Sequence, residues 1–411
     1  MPLGSLPNSP DIAAIVITGS SGSSYDITSL APEIHIYEDV FANTLSAQIV
    51  IGDAAGVLDK LPIVGNEKII ITMKRGAHEP YLGLVFISYK VSNIRPLNQK
   101  VQVYTLECIS QEYMQNVLTA TSKAYSGSAE QIIESILKTE LGSRKPFLAQ
   151  KTSTTIDLIS AYWNPFYTMN MIAARTLGAD GKQPSYFLFE DYRQNFNFVS
   201  LESLFRLPKL LTWSYRDPNF SGSSNEDSDL YRMNTIMDFH VESAFDMIEG
   251  VMDGLLGGTL IEKDVLSKGC AVTKYNYHND FAQYKHTGNT PVIAKKNADN
   301  IDLTKVSPRQ IIKYSSRAVS HNRDTKNYKN WALQRSSFLE QVDVVKLFLT
   351  VPANSIAQLG SMVEIIINDA EAVKKTGIAS LSGLWMISAI HHRIKQKTYF
   401  MDVELIRDSL K

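Results

Sequence analysis

Apolar and polar residues alternate over several short stretches at both ends of the chain, and the stretches follow one another in the same order each time. Near the start come Leu45, Ala47, Ile49 and Ile51, then a short turn, Gly65, the triplet Ile69-Ile70-Ile71 and GLVFIS at 83–88. Near the end come Val344, Leu347, Leu349 and Val351, then Pro352-Ala353-Asn354, Gly360, Ile365-Ile366-Ile367 and GLWMIS at 383–388. Each GLxxIS segment leads through a polar stretch into another alternating run, Val101 to Leu106 in one case and Tyr399 to Leu405 in the other. Alternation with period two, bounded by Gly, Pro and Asn, marks strands that bury one face. The shared order predicts two related β-domains, with Gly83-Leu84 and Gly383-Leu384 starting equivalent strands. The competing reading is two unrelated sheets of similar strand composition.

The sequence between them carries helix signals. Ser128 with Gln131 makes a capping-box pattern ahead of Ile132, Ile133, Ile136, Leu137 and Leu141, and Gly142 supplies a stop. A second helix is predicted over Thr168–Leu177, started by Asn164-Pro165 and ended by Gly178. YFLFED (186–191) and FNFVSLESLF (196–205) flank a polar turn and read as a hairpin running into a short helix. SGSSNEDSD at 221–229 reads as a mobile loop. Strand character returns with IMDFHV at 236–241, and a helix is expected near Asn327–Leu339. Residues 244–256 place Phe245, Ile248, Val251, Met252 and Leu255 at helical spacing among acidic residues, a core-facing or partner-facing segment interrupted by Gly250 and Gly254. The expected fold is mainly β with an α+β insert: a first barrel domain over 1–116, the insert over 117–232, a second barrel over 233–288 and 336–411, and a polar excursion at 289–335.

A chain of 411 residues is too long for one typical core, so several domains are expected. With 41 basic and 42 acidic residues it sets up no field to hold a polyanion, and no specific nucleic-acid partner is expected. Its two cysteines, Cys108 and Cys270, fall in different domains and imply no disulfide framework, which suits a reducing cytoplasm. MPLGSLPNSPD has neither a basic nor an apolar signal region, and no apolar run is long enough to span a bilayer, so no membrane partner is expected.

The residues offer little chemistry. GSSGSS at 19–24 could cradle a phosphate, but no Lys follows and the chain continues as strand, so it reads as a turn. Neighbours on a strand face opposite ways, so His391 and His392 cannot share one ion. His278 and His286 flank Asp280 without the patterns that mark zinc sites, and read as surface loop histidines. Glu190-Asp191 sits beside a turn, and there is no G-x-S-x-G elbow. No catalytic, cofactor-binding or metal-binding residue is predicted, and no enzymatic activity.

Three stretches resemble the central hub protein of contractile phage tail baseplates, a family related to the N-terminal part of type VI secretion spike proteins. They are FNFVSLESL (196–204), GGTLIEKDVLSK (257–268) and SGLWMISAIHHRIKQKTYFMDVELIRDS (382–409). The resemblance implies two tail-tube-like barrels in each chain, and a homotrimer whose six barrels form a ring. It implies a virion protein, assembled in the host cytoplasm, that adapts the six-fold tail tube to a trimeric spike. The final strand runs to the end of the sequence, so the spike is expected to be a separate chain. Baseplate wedge and tape measure proteins are further partners that the resemblance allows. A tail-tube or distal-tail ring protein, the hub of a non-viral contractile injection device, and a β-rich polysaccharide-degrading enzyme are the other readings. A tube protein would not need the insert, and the enzyme would need clustered carboxylates that the sequence does not display.

Overall fold

The computed structural model describes residues 10–410 apart from 62, 76–78, 99–100, 216–232, 245, 265–267, 316–327, 377–380 and 396–397; the segment 221–229 read as a loop lies outside the described residues. Six strands build the first barrel: β1 (Asp11–Thr18), β2 (Glu33–Asp39), β3 (Ser46–Asp53), β4 (Lys68–Lys74), β5 (Leu82–Asn98) and β6 (Val101–Ser110). They hydrogen-bond in the order β2-β3-β6-β5-β4-β1. Each run alternates, so one face of all six turns onto a single apolar interior. Ile15 and Ile17, Ile34 and Ile36, Ile49 and Ile51, Ile69 and Ile71, Leu84 and Phe86, and Tyr104 and Leu106 all join the same core.

The insert follows, with helices α1 (Gln111–Leu118), α2 (Ala129–Thr139) and α3 (Pro165–Ala173) packed on short strands β7 (Ala124–Ser128), β8 (Phe147–Ala149), β9 (Thr155–Ile159), β10 (Tyr186–Glu190) and β11 (Phe196–Ser200). It has a core of its own, built on Ile132, Ile133, Ile136, Met169, Phe196 and Phe198. The first helix and the hairpin fall where the sequence puts them, the second helix starts three residues before the expected Thr168 and stops at Ala173 short of Leu177, and β11 runs straight into the short α4 (Leu201–Leu204). The capping box does not form, because Ser128 is also the last residue of a strand and its side chain makes no cap bond.

The second barrel uses β12 (Leu211–Tyr215), β13 (Asp238–Ala244), β17 (Val345–Pro352), β18 (Met362–Ile366), β19 (Gly383–Lys395) and β20 (Thr398–Arg407). The order is β13-β17-β20-β19-β18-β12, the same as in the first barrel position by position. GLVFIS and GLWMIS therefore begin strands at equivalent places, β5 and β19. One edge differs. β1 lies antiparallel to β4, but β12 lies parallel to β18.

Within these equivalent strands the two hexapeptides are out of register by one residue. Each strand carries a β-bulge, at Tyr89 in β5 and at Ser388 in β19, and those two positions are one short of the spacing between the hexapeptides. A one-residue slip exchanges faces. Leu84 accordingly sits in the core while Leu384 is 41% exposed, and Trp385 and Ile387 take the inward places. The isoleucine triplets are offset as well, since Gly83 pairs with Thr72 but Gly383 with Ile365.

Two segments fall in different units from those expected. β12, placed by sequence in the insert, belongs to the second barrel. The strands β14 (Gly257–Asp264) and β15 (Cys270–Asn276), assigned by sequence to that barrel, instead pair with β16 (Arg309–Ser315) from the polar excursion, in a separate three-stranded sheet. Exposed Lys274, Val272 and Ile312 show why: this sheet buries only a small face, on Leu260, Tyr275 and Leu333. The short acidic helix α5 (Met247–Asp253) precedes it, capped by the Asp246 carboxylate, and leaves Ile248 and Met252 exposed. Helix α6 (Tyr328–Asp343) follows, covering the expected Asn327–Leu339 from its second residue and running four residues further, and packs on β14, α5 and β20.

Candidate functional site: the seam between the barrels

β2 of the first barrel pairs antiparallel with β19 of the second, from Glu33 opposite Lys395 to Asp39 opposite Ala389, so both barrels share one continuous sheet. Alternation gives this seam two chemically distinct faces. Inward lie Ile34, Ile36, Ile390 and Ile394, with Glu38 and His392 at two inward places where a strand would ordinarily put carbon.

Those two polar residues satisfy each other. His392 Nε2 lies 2.8 Å from Glu38 Oε1, and the Tyr399 hydroxyl lies 2.7 Å from Nδ1. The partners fix the tautomer: Nε2–H donates to the carboxylate and Nδ1 accepts from the phenol. Glu38 Oε2 also accepts from the Tyr192 backbone N–H at 2.8 Å, tying the hairpin of the insert to the seam. Burial holds the imidazole below its usual range and pushes the Tyr399 phenol well above its own. Arg75 completes the group. Its guanidinium stacks 4.3 Å over the Tyr192 ring, donates to the Ser355 carbonyl and sits 3.5 Å from Glu79. With both ring nitrogens engaged, His392 is a bridge and offers no free base to a substrate. A cavity of about 220 Å³ opens beside Glu38, bordered by Arg75, Tyr192, Asn195 and Asn197 and, over much of its wall, by Leu148, Phe189, Val199, Leu204 and Leu359.

The outer face carries aromatic and charged groups that are partly exposed. Tyr37 stacks on His391 at 4.3 Å, His35 Nδ1 lies 2.8 Å from His391 Nε2, and Arg393 meets Asp402 at 2.8 Å. Burial and the neighbouring His391 both lower the pKa of His35. As the sequence reading required, His391 and His392 point to opposite sides.

A second buried cluster fastens the insert to the first barrel. Lys145 Nζ reaches Glu112 and Glu190 at 2.6 Å each and Ser110 at 2.7 Å, while Glu190 also accepts from the Leu45 N–H. Burial pulls against the cation at both carboxyls. At fully buried Glu190 burial prevails and the pKa is raised; at Glu112 the contacts with Lys145 and Ser143 outweigh it and the pKa is lowered.

The remaining candidates resolve into structure. GSSGSS is the turn of a hairpin, with Gly22 at φ 81°. His278 and His286 are not surface histidines: His278 is 8% exposed and packs on Tyr277, and His286 bonds to Asp408 and the Phe281 carbonyl while stacking on the Phe281 ring. Asp280 caps Asn276 instead of joining them. Among the described residues no three His, Cys, Asp or Glu side chains are arranged to hold a metal ion, and no helix is long and apolar enough to cross a membrane. Cys108 is buried and Cys270 exposed, neither in a disulfide. The sequence did hold a signal for the seam, a Glu at the third inward place of EIHIYED and a His between Ile390 and Ile394, but its meaning appears only when the strands are paired.

No family model matches the sequence, and neither does any curated protein. Solved structures do. A tail protein from Neisseria meningitidis MC58 superposes with a TM-score of 0.55 at 11% identity, over 96% of each chain. The fold is that of a phage tail protein. A 43 kDa tail protein of prophage MuSo2 from Shewanella oneidensis gives a TM-score of 0.54 at 10% identity, over 97% of this chain and 99% of that one. Both matches run through the insert as well as the barrels.

Proposed function

We propose that the chain is a structural hub of a contractile phage tail baseplate, which as a homotrimer sets six barrels around a channel and adapts a six-fold tail tube to a trimeric spike. The observation that carries this reading is the seam: two barrels of identical strand order stand side by side in one chain, joined edge to edge. A domain duplicated within a trimer gives six quasi-equivalent places, which is what a six-fold tube meeting a three-fold needle requires. The insert and the buried Lys145 cluster hold accessory surface on one side of the barrels, where a plain tube subunit would need none. The hub of a non-viral injection device would use the same geometry. The reading contains no catalytic step, and the polar groups at the seam act as structural bridges.

The test is co-expression with a trimeric spike chain from the same tail system, followed by mass measurement of the purified complex. Three hubs on three spike chains is the expected stoichiometry. A hub that stays monomeric and binds the spike one to one, or a ring of six hub chains, would overturn the proposal.

A further inference from the structure

The two faces of the seam make different demands for protons. On the inner face a neutral His392 suffices, since its one N–H donates to Glu38 and its bare nitrogen accepts from Tyr399. On the outer face a chain of four groups crosses from one barrel to the other. His35 Nε2 stands 3.2 Å from Glu33, His35 Nδ1 stands 2.8 Å from His391 Nε2, and His391 Nδ1 stands 3.4 Å from Asp402. Glu33 and His35 belong to β2 of the first barrel, and His391 and Asp402 to β19 and β20 of the second.

The hydrogens along this chain can be counted. An ionised carboxylate only accepts, so each outward nitrogen needs a hydrogen, and the contact between the two rings needs one more. Three contacts therefore need three hydrogens, whereas two neutral imidazoles carry two. With two, one contact sets lone pair against lone pair. With four, two N–H groups meet head on across 2.8 Å. Only the intermediate count, one proton above neutral, completes every contact.

The surroundings supply each carboxylate with a cation. Arg393 of β19 meets Asp402 at 2.8 Å and 3.0 Å, the Thr350 hydroxyl of β17 donates to it at 2.8 Å, and Lys395 lies 3.6 Å from Glu33. Burial opposes ionisation of Asp402, but the bonds from His391 and Thr350 and the charge of Arg393 outweigh it and its pKa is lowered. Burial first, and then the charge of His391, resist a proton on His35; Glu33 pulls the other way and Arg393 adds to the resistance. Of the remaining ionisable groups on this face, Tyr37 stacks on His391 and donates its hydroxyl to Gln48 of β3, and Glu107 of β6 acts on Tyr37. The side chains of His35 and His391 are 16% and 25% exposed, so solvent protons reach both.

We propose that His35 and His391 form a proton-operated clasp across the seam, complete when the pair holds a single proton beyond two neutral rings. The clasp lies within one chain, so it stands whether or not three chains form a ring. Falling pH supplies the third hydrogen on passing through the ordinary imidazole range, and closure is lost again as pH rises through it. The fourth hydrogen arrives at lower pH, because burial and the first charge both resist it, and it drives the rings apart. The seam is therefore tightest in mildly acid solution and looser on either side.

The experiment follows hydrogen exchange by mass spectrometry in peptides covering β2 and β19, in the full chain and in His35→Gln and His391→Gln, from pH 9 to pH 4. Circular dichroism confirms that each variant folds, and rates are corrected for the intrinsic pH dependence of exchange. In the parent, seam opening should be least near pH 6 and rise about tenfold towards either end, the weight of one charge-assisted hydrogen bond. In either variant the minimum should vanish, and the effect of His392, common to all three proteins, cancels in the comparison. A parent profile without a minimum, or the same minimum in the variants, would overturn the clasp. NMR of the parent labelled at its eight histidine rings gives a reading that needs no variant. Two of the signals should each move in two coupled steps, and single-step titration of every ring would sink the proposal. So would a minimum abolished by a chelator, which would assign the space between the rings to a metal ion.

Discussion

Glu202 supplies a stability change whose sign and size follow from where it lies. It sits in the first turn of α4, 2% exposed, beneath α6. The nearest cation does not neutralise it directly, since Arg335 spends its donors on the carbonyls of Pro184 at 2.8 Å and Tyr186 at 3.3 Å. Burial therefore pushes the Glu202 carboxyl from 4.5 up to about 7. A carboxyl raised in the folded state contributes most below its unfolded value, and the contribution is lost as pH rises through the folded value. At about 1.4 kcal/mol per unit, the raised value lowers folding stability by about 1 kcal/mol at pH 5, where only the unfolded chain ionises, and by about 3 kcal/mol at pH 8, where the native carboxyl ionises too. Glu202→Gln keeps the shape and the hydrogen-bonding capacity without the charge. The variant is expected to be more stable than the parent by about 3 kcal/mol at pH 8 and by about 1 kcal/mol at pH 5. Urea unfolding of both proteins at the two pH values, followed by tryptophan fluorescence, measures the difference. A variant less stable at pH 8, or a gap that does not narrow at pH 5, would refute the account of this site.

Two other substitutions probe the buried clusters. Lys145→Ala strips the shared cation from Glu112 and Glu190 and should destabilise the chain by about 3–5 kcal/mol at neutral pH, because an uncompensated carboxylate is left inside. The loss should shrink on acidification as Glu190, already raised, takes up a proton; thermal melts at pH 7.5 and 5.5 check both the size and the trend. His392→Leu removes the partner of buried Glu38 and of the Tyr399 hydroxyl, and should cost about 2–4 kcal/mol. Hydrogen exchange should show the added opening concentrated in β2 and β19, and uniform opening of both barrels would argue against a local seam.

Much of the fold is written in local pattern. The alternating runs gave the strands because each barrel buries a single face, and Asn164-Pro165 and Gly142 mark helix ends through backbone constraints that act at those residues. What was not legible depends on partners distant in the chain. The near-repeat GLVFIS and GLWMIS identified equivalent strands but not their register, which the bulges at Tyr89 and Ser388 set. β12 carries no mark that it leaves the insert for the second barrel, since its neighbour β18 is about 150 residues away. The same holds for β14 and β15, whose third strand, β16, arises from sequence that reads as polar. Glu38 and His392 are separated by most of the chain, and only strand pairing reveals that each is the other's reason for being buried.

The central claim is that duplicated barrels in one chain build a six-place ring from three copies. Electron-microscopic averaging of the purified assembly, without imposed symmetry, tests it most directly. Three-fold averages with six barrel-sized lobes around an open channel, and a total mass of three chains, are the predicted result. Six chains in the ring, twelve lobes, or isolated two-lobed particles at every concentration would contradict it.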